Sequence, residues 1–451
     1  MAEPVFSKIM RQQLASVAGN RFSSRAEVCT ESKPRLRVFM MDLLSVVAYY
    51  DAYLCQALQS QDIDVALGAI TYYLDRGCFR RQGVRNHPGL LDFVGKRRLP
   101  ATLRRTLKVL EMVINLVALA VRFVWARPDV VHVQYLPLLE RRFSLELWFL
   151  RYCRSLGSAV ISTVHDILPH DTGEWHELRF KRTYEMMDGL ICHSEAVKQE
   201  LVTRFGIPSE QVWVIPHGPL FHDRSAPAAT RSEQLESASS PTVVLCQGWV
   251  RPYKGIEFLL DSWKEVQQTG AKAKLLIAGS GDFTYLDRIR ERVDLLALQD
   301  SVELCFGFVS VGEMLAQYQA ADILVYPYKA ITTSGALMTG LAQRKAIVAT
   351  SLPAFREILQ HGKNAFLCDY GDVKSFASAL VSLINDPALR RRLANKTAPF
   401  SIGGNSWQEI AAQTKDCYAS VLCSRALGNS PAKRLRKNKL AVSRSQDSRA
   451  A

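Results

Sequence analysis

Short apolar runs bounded by turn residues alternate with amphipathic stretches along most of the chain. The apolar runs predict strands at residues 36–41, 65–70, 130–134, 159–164, 190–193, 212–216, 243–247, 274–279, 302–305, 323–327, 346–350 and 365–368. The amphipathic stretches predict helices at residues 50–60, 101–126, 145–156, 178–187, 196–205, 256–267, 285–297, 311–319, 336–343, 373–385, 387–395 and 406–423. This alternation is typical of α/β proteins, in which crossover helices cover the faces of a parallel sheet.

One segment interrupts the pattern and divides the chain. Residues 223–241 are rich in Ser, Ala and Glu and predict a linker. Because 451 residues exceed one ordinary core, we expect two doubly wound Rossmann-like domains that face a cleft, residues 35–222 and 242–403. We expect residues 1–34 to form a flexible extension and residues 424–451 a basic, disordered tail.

A loop near residue 334 has the composition of a phosphate site. It lies between a predicted buried strand and a predicted helix, and Thr333 or Ser334 is expected to be the helix N-cap. Gly335 then allows a ligand to approach the backbone closely. A helix N-terminus in this position suits a diphosphate, although an ordinary strand–loop–helix unit would show the same pattern.

A second loop, after the predicted strand at 243–247, adds two cations. The strand runs into Gly248, and Arg251 and Lys254 follow before the next helix. Guanidinium and ammonium groups bind phosphate oxygens, and ligands of open α/β sheets bind at the carboxyl ends of strands. The alternative is that both side chains are solvated surface cations.

Charge and cysteine content bear on location and partners. The net charge is +14, and residues 424–451 hold eight basic residues against Asp447 alone. A further basic cluster (Lys96, Arg97, Arg98, Arg104, Arg105 and Lys108) precedes the apolar run 109–125, which suits a protein resting on an anionic lipid surface. No nucleic-acid motif accompanies the charge, so we expect no nucleic-acid partner. Ten Cys without metal-like spacing and no apolar signal in residues 1–34 favour a cytoplasmic protein, peripheral on the inner face of the plasma membrane.

Together these motifs resemble the GT-B glycosyltransferases of the large retaining family 4, over about residues 35–423. The resemblance implies that the C-terminal domain binds a nucleotide-diphosphate sugar and the N-terminal domain binds a saccharide or lipid-linked acceptor. It also implies that the last helix, within residues 404–423, crosses back onto the N-terminal domain. Neither a cofactor nor a metal is expected, because fixed cations and amides would stabilise the leaving diphosphate.

The donor site follows residue by residue from the resemblance. GWVRPYKG resembles the family's phosphate loop, so Arg251 and Lys254 would act in catalysis by gripping the diphosphate. Gly279 and Gly281 would line the cleft, and the Phe308–Val309 loop would contact the base. The full set implied to bind the donor is Gly248, Gly279, Gly281, Phe308, Val309, Thr333, Ser334, Gly335, Ala336, Thr339 and Glu357. Glu357 equally suits a solvated helix carboxylate.

One departure separates this chain from most of the family. The paired Glu residues that usually flank the distal phosphate loop are replaced by Ile331 and Thr339. A subgroup with a Thr/Ser-Gly loop resembles the chain more closely. Since the second Glu normally holds the nucleotide ribose, its replacement by Thr339 leaves the base and the sugar open.

In the N-terminal domain, STVHDILPHD resembles the segment whose His lies near the anomeric carbon of the donor. His165 is the implied catalytic residue, with Asp166, His170 and Asp171 on the acceptor side. A buried structural histidine is the alternative, but a His-Asp pair at a strand end favours function. His193 with Ser194, and His217 with Gly218, are expected to be structural first.

The predicted activity is glycosyl transfer with retention in polysaccharide or glycolipid synthesis. Three alternatives remain at this point. One is a catalytically degenerate protein that only binds nucleotide sugars, which the missing Glu pair would explain. Another is a membrane-surface scaffold that acts through the basic tail and the cluster at residues 96–108. The third is another GT-B activity, such as an epimerase or a phosphorylase.

Overall fold

The computed structural model describes residues 35–94, 96–97, 100–140, 143–168, 174–224, 241–397 and 406–428. Its strands are β1 (Arg37–Met41), β2 (Asp64–Gly68), β3 (Val130–Val133), β4 (Ala159–Val164), β5 (Gly189–Cys192), β6 (Val212–Val214), β7 (Thr242–Gln247), β8 (Ala273–Gly279), β9 (Val302–Phe306), β10 (Ile323–Tyr326), β11 (Ala346–Thr350) and β12 (Phe366–Cys368). The predicted extension 1–34, most of the predicted linker and tail, Arg98, His170 and Asp171 lie outside the described residues.

The helices follow the strands in alternation. They are α1 (Ala48–Ser60), α2 (Cys78–Arg81), α3 (Ala101–Arg122), α4 (Pro137–Glu140), α5 (Leu145–Ser155), α6 (Glu174–Met186), α7 (Glu195–Thr203), α8 (Ile256–Gln268), α9 (Phe283–Leu295), α10 (Val311–Ala320), α11 (Gly335–Ala342), α12 (Pro353–Arg356), α13 (Val373–Asn385), α14 (Pro387–Thr397) and α15 (Trp407–Ala426). Within the described ranges, no helix has both the length and the apolar character that crossing a bilayer requires.

The first sheet is fully parallel, in the order β2-β1-β3-β4-β5-β6. Strands β3 and β4 are buried at every position, which explains their continuous apolar runs, since helices cover both faces of a parallel sheet. The core on one face contains residues of α1 and of the last helix, including Trp407 and Tyr418. The core on the other face contains Met112 and Leu116 of α3.

The second sheet is also parallel, in the order β12-β11-β10-β7-β8-β9. The chain enters at central β7, builds outward through β8 and β9, and then returns to β10 on the other side of β7. The helices that follow β7 and β10 therefore lie on opposite faces of the sheet, and a crevice lies at the carboxyl ends of these two strands. The predicted α/β fold, with two doubly wound Rossmann-like domains, is confirmed.

Several predicted boundaries are wrong by a few residues, for local reasons. Helix α3 ends at Arg122 rather than 126, and Pro128 disfavours helical geometry in the residue before it. Helix α15 continues through Ala426 into the expected tail, where Arg425 contacts buried Asp188 at 2.5 Å. Asp223, placed in the expected linker, accepts hydrogen bonds from Tyr53 and, at 3.2 Å, from Gln82.

Candidate functional site

The loops after β7 and β10 meet at the crevice of the second sheet. The amide of Lys329 donates to the Tyr253 carbonyl at 2.8 Å, which ties one loop to the other. Gly255, at φ +67°, lies so close to the β10 loop that a Cβ there would be 1.9 Å from the Pro327 carbonyl oxygen. Glycine is thus required by the packing of the two loops against each other.

Lys254 is a buried cation at the centre of this junction. Lys254 is 8% exposed, and its Nζ lies 3.8 Å from the centroid of the Tyr328 ring and 5.3 Å from the centroid of the Tyr253 ring. Burial lowers the pKa of Lys254 to about 7, and the nearby Cys246 and Asp166 only partly offset this. A solvated surface cation is therefore excluded for Lys254. A desolvated ammonium of this kind gains strongly from a neighbouring anion.

Arg251 differs from Lys254 although the two lie three residues apart. Its side chain is exposed, and the guanidinium carbon lies 5.4 Å from the centroid of the Trp249 ring. Trp249 is itself 60% exposed, so the pair forms a cationic and aromatic surface at the mouth of the crevice. The two cations predicted from the sequence are thus one buried and one exposed group.

Helix α11 begins at the other wall of the crevice. Ser334 is its N-cap, as one of the two predicted candidates, and its Oγ accepts from the Leu337 amide at 3.2 Å. The first amides of the helix, at Gly335 and Ala336, lie in the turn where a helix has no carbonyl partners of its own. The hydroxyls of Tyr326 and Tyr318 donate to the Ala336 carbonyl at 3.0 and 3.3 Å and anchor this turn.

Two threonines near this turn have opposite environments. The Thr333 hydroxyl is buried without a hydrogen-bond partner among the described residues. The Thr339 hydroxyl donates to the Gly335 carbonyl at 2.8 Å, and the residue is only 3% exposed. The Thr339 hydroxyl therefore donates its hydrogen bond within its own helix, while the Thr333 hydroxyl remains an unused donor beside the helix N-terminus.

The glycines predicted to line the cleft are explained by contacts within the chain. Gly248 and Gly279 both have positive φ, +133° and +142°, and a Cβ on Gly279 would lie 1.8 Å from the Gly248 carbonyl oxygen. A Cβ on Gly281 would lie 2.4 Å from the Val250 carbonyl oxygen. These close approaches bring the ends of β7 and β8 together as the floor of the crevice.

The loop after β9 forms the outer edge of the same crevice. The Gly307 amide donates to the Gly279 carbonyl at 3.1 Å and holds this loop against the end of β8. Phe308 is 59% exposed beside it, whereas Val309 is partly buried. An exposed aromatic ring next to a phosphate-type site suits stacking with a flat heterocycle.

In the first sheet, the strand ends bring together histidines that are distant in sequence. His165 Nε2 lies 2.9 Å from Gln134 Oε1, and His165 Nδ1 lies 3.4 Å from His193 Nε2. His193 Nδ1 in turn donates to the Ile215 carbonyl at 2.9 Å. Both ring nitrogens of His165 thus have protein partners, which fixes the orientation of the ring.

Burial keeps these rings neutral near pH 7. It lowers the pKa of His165 well below its usual range, with neighbouring histidines adding to the effect, and it lowers the pKa of His193 to about 4. Burial likewise lowers the pKa of His217 to about 3. Within the described part of the chain, no group of three His, Cys, Asp or Glu side chains is placed to hold a metal ion.

Contacts across the two domains place the histidine cluster next to the crevice. The Thr332 hydroxyl lies 2.7 Å from Asp166 Oδ1 and 3.1 Å from the His165 carbonyl oxygen. Glu357 reaches the other domain as well, where its two carboxylate oxygens accept from the Glu195 and Ala196 amides, each at 2.9 Å. Neither expectation for Glu357, donor contact or solvated carboxylate, anticipated this cap on the N-terminus of α7.

A pocket opens beside His165 at the ends of β3 and β4. Its polar wall includes Gln134, Thr163 and Asp166, and its apolar wall includes Leu139 and Phe180. The cavity volume is about 50 Å³, which suits one small polar group against an apolar wall rather than a whole substrate. His170 and Asp171, predicted on the same side, lie outside the described residues.

Sequence reasoning missed several residues of this site. Tyr328 beneath Lys254, Thr332 between the domains and Gln134 beside His165 were not singled out. Gln134 and Tyr328 lie within two residues of the end of a buried strand, and Thr332 lies six residues after one. The carboxyl ends of the strands were therefore the signal that could have indicated these residues.

Comparisons with known proteins agree with this geometry. The family model described as "Glycosyl transferases group 1" matches residues 241–386, and that described as "Glycosyltransferase Family 4" matches residues 47–218. A phosphatidyl-myo-inositol mannosyltransferase from Mycobacterium leprae is 29% identical over 184 residues, which are 41% of this chain and 47% of that protein. The chain thus spans about half the length of this relative.

Solved structures show the same fold at low sequence identity. A glycosyltransferase from Rickettsia africae superimposes with a TM-score of 0.64 at 15% identity, covering 85% of this chain and 98% of that one. Anabaena HepE in complex with UDP-glucose superimposes with a TM-score of 0.63 at 16% identity, covering 85% of this chain and 99% of that one.

Proposed function

The chain has the fold and both family domains of a GT-B glycosyltransferase, and from this premise we propose that it transfers a glycosyl group from a nucleotide-diphosphate sugar to a saccharide or lipid-linked acceptor. The observation that carries the proposal is that Lys254 and the N-cap of α11 contact the same side chain at the strand-order reversal of the second sheet. The Tyr328 ring lies 3.8 Å from Lys254 Nζ, and its hydroxyl accepts from the Ser334 hydroxyl at 3.4 Å. This places a buried cation and free helix amides on one crevice.

These groups suit the charge that develops when a diphosphate leaves. Lys254 and the amides of Gly335 and Ala336 are fixed by packing, so they need little rearrangement as negative charge grows. Arg251 is exposed at the mouth and can close on the outer phosphate oxygens. Thr333 adds a hydroxyl that can donate to the same anion.

We propose that transfer needs no metal ion. Lys254 and the α11 amides supply the positive charge that a divalent ion supplies in metal-dependent transferases. Activity that persists in excess EDTA is the expected result. Activity that disappears with EDTA and returns with a divalent ion would contradict this part of the proposal.

Retention is proposed from the resemblance to family 4. In that chemistry the leaving phosphate helps to deprotonate the acceptor on the same face of the sugar, so no carboxylate nucleophile is needed. The proton NMR coupling constant of the new anomeric centre tests this, and an inverted product would refute retention.

We propose that the acceptor binds at the N-terminal domain. Asp166, which lines the pocket beside His165, contacts Thr332 of the C-terminal domain at 2.7 Å, so the two substrates would meet at this boundary. The phosphatidyl-inositol named in the mycobacterial relative favours a lipid-linked acceptor, and UDP-glucose in the Anabaena structure favours a nucleotide-sugar donor.

A second candidate is a protein that binds the nucleotide sugar without transferring it. The Thr339 hydroxyl, which replaces the usual Glu and bonds to its own helix, is the observation that favours it. An assay of donor turnover distinguishes the two candidates, because the binding protein would neither transfer the sugar nor slowly hydrolyse the donor.

Thermal unfolding with UDP, GDP, ADP and their sugar conjugates tests the donor site. A ligand that binds only the folded state raises the unfolding temperature with the logarithm of its concentration. We expect a shift with one nucleotide family, lost in Lys254→Met and retained in the control Lys264→Met, whose side chain is exposed on α8. No shift with any of these ligands would contradict the proposal.

A further inference from the structure

The outer surface of α3 is apolar where a surface helix is normally polar. Its exposed aliphatic side chains recur at intervals of three, four or seven residues, which places them along one side of the helix. They are Leu103, Leu110, Ile114, Val117 and Val121, each between 44% and 59% exposed. Val124 and Trp125 follow the helix, and Trp125 is 79% exposed.

The polar side chains in the middle of the same helix point inward. Glu111 is 3% exposed and accepts from the amides of Phe93 and Val94. Asn115 is 1% exposed and bonds to both the amide and the carbonyl of Leu91. Glu111 and Asn115 thus stabilise a neighbouring loop, and the exposed residues of α3 from Leu110 to Val121 are all apolar.

Helix α5 extends this apolar surface. Trp148 is 71% exposed, and Tyr152, one turn later on the same side of α5, donates to the Ala120 carbonyl of α3 at 3.0 Å. Phe143, just before α5, is 60% exposed. We call these exposed side chains of α3, α5 and their flanks the α3–α5 face.

The exposed charges of α3 and α5 beside the α3–α5 face are of one sign. Among the described side chains of the two helices, both acids, Glu111 and Glu146, are buried, whereas Arg122 and Arg151 are exposed. Arg105 is exposed as well, but it lies about 200° around α3 from Leu103 and so faces away from the apolar side. Arg104 and Lys108 are not counted here, because they lie over the Tyr73 ring at 4.6 and 4.9 Å. Exposed tryptophans, aliphatic side chains and arginines together match the boundary between headgroups and acyl chains of an anionic bilayer.

We propose that the α3–α5 face docks the protein on an anionic lipid surface, with α3 lying in the plane of the membrane. A second copy of this chain fits less well, since a two-fold contact would bring arginines of like charge together. The proposal goes beyond sugar transfer and does not depend on it, because the donor crevice belongs to the other sheet.

Co-sedimentation with vesicles tests the docking. The full chain is incubated with vesicles of phosphatidylcholine alone and with vesicles that also contain phosphatidylglycerol. We expect binding to the anionic vesicles only, at least tenfold weaker in Val117→Ser/Val121→Ser, and about fivefold weaker in Arg151→Gln. The control Leu295→Ser removes an even more exposed side chain from the second domain and should bind as wild type.

Two further measurements distinguish a lipid surface from a second copy of the chain as the partner of the α3–α5 face. Brominated lipids should quench tryptophan fluorescence, and Trp125→Phe/Trp148→Phe should remove most of that quenching. Binding that is unchanged in the Val117→Ser/Val121→Ser variant would overturn the proposal and assign vesicle binding to other basic segments. A dimer that becomes a monomer in the variant, with no change in vesicle binding, would overturn it in favour of a second copy. Unfolding temperatures without ligand that match wild type show that the variants are folded.

Discussion

Raising the pH should weaken donor binding through Lys254. In the free protein, burial lowers the pKa of this ammonium to about 7, so it loses its charge as the pH rises past neutrality. A bound diphosphate favours the charged form and raises that pKa. Binding above pH 7 must therefore take up a proton, and the affinity must fall as the pH rises.

The magnitude follows from the pKa of the free protein. With a pKa of about 7, about three quarters of Lys254 is charged at pH 6.5 and about 3% at pH 8.5. If the bound lysine stays charged over this interval, the affinity falls about 25-fold, or about 1.9 kcal/mol. The diphosphate of a nucleotide sugar is doubly esterified and does not titrate in this interval, which isolates the lysine.

Isothermal titration calorimetry measures both the affinity and the proton. Titrations in two buffers of different ionisation enthalpy should give uptake of about one proton at pH 8.5 and much less at pH 6. Lys254→Met should bind weakly with no pH dependence, while Lys264→Met should follow wild type. Equal wild-type affinity at both pH values, with no proton uptake at either, would refute the reasoning.

Three further substitutions test separate parts of the site. Glu357→Gln should lower the rate of transfer several-fold without changing donor affinity, because it weakens the contact of Glu357 with the N-terminus of α7 in the other domain by about 1 kcal/mol. Glu291→Gln, at an exposed position of α9, is the control. Thr339→Ala should leave donor affinity within about twofold by calorimetry, since its hydroxyl is used within α11, and a tenfold loss would restore this residue to the ribose site. Gly279→Ala should destabilise the protein by more than about 2 kcal/mol in denaturant unfolding, because its Cβ would meet a backbone oxygen at 1.8 Å, whereas a Cβ on Gly312 meets nothing and Gly312→Ala should be tolerated.

The parts of the site that depend on local sequence were predictable. Ser334 caps α11 because a hydroxyl one residue before a helix is a local signal, and Gly248 follows β7 in the same way. The alternation of strands and helices predicted the α/β class for a similar reason. Parallel strands buried on both faces need continuous apolar runs, which are visible without any knowledge of their order.

The parts that depend on distant residues were not predictable. Glu357 meets the amides of Glu195 and Ala196, which lie more than 150 residues away, and nothing in its own neighbourhood indicates this partner. The burial of Lys254 is of the same kind, because it depends on Tyr328 of another loop. The local sequence around a lysine does not distinguish a loop in which its side chain is solvated from one in which it is buried.

The two domains also differ in how well their chemistry was anticipated. His165 was predicted together with neighbours in its own segment, but the structure also places it in a cluster with Gln134 and His193, which come from neighbouring strands. Whether this neutral ring contacts the sugar stays a prediction. Substitution of Gln134 by Leu, with the rate and the donor affinity measured separately, would show how much of its effect depends on orientation.

The most direct test of the account is the release of nucleoside diphosphate from a nucleotide sugar. Purified protein is incubated with UDP-glucose, GDP-mannose and related donors, with and without saccharide or lipid-linked acceptors, in EDTA. We predict release by wild type with one nucleotide family, stimulated by an acceptor, and no release by Lys254→Met. Absence of both release and donor binding in wild type, with every nucleotide sugar tried, would contradict the central claim.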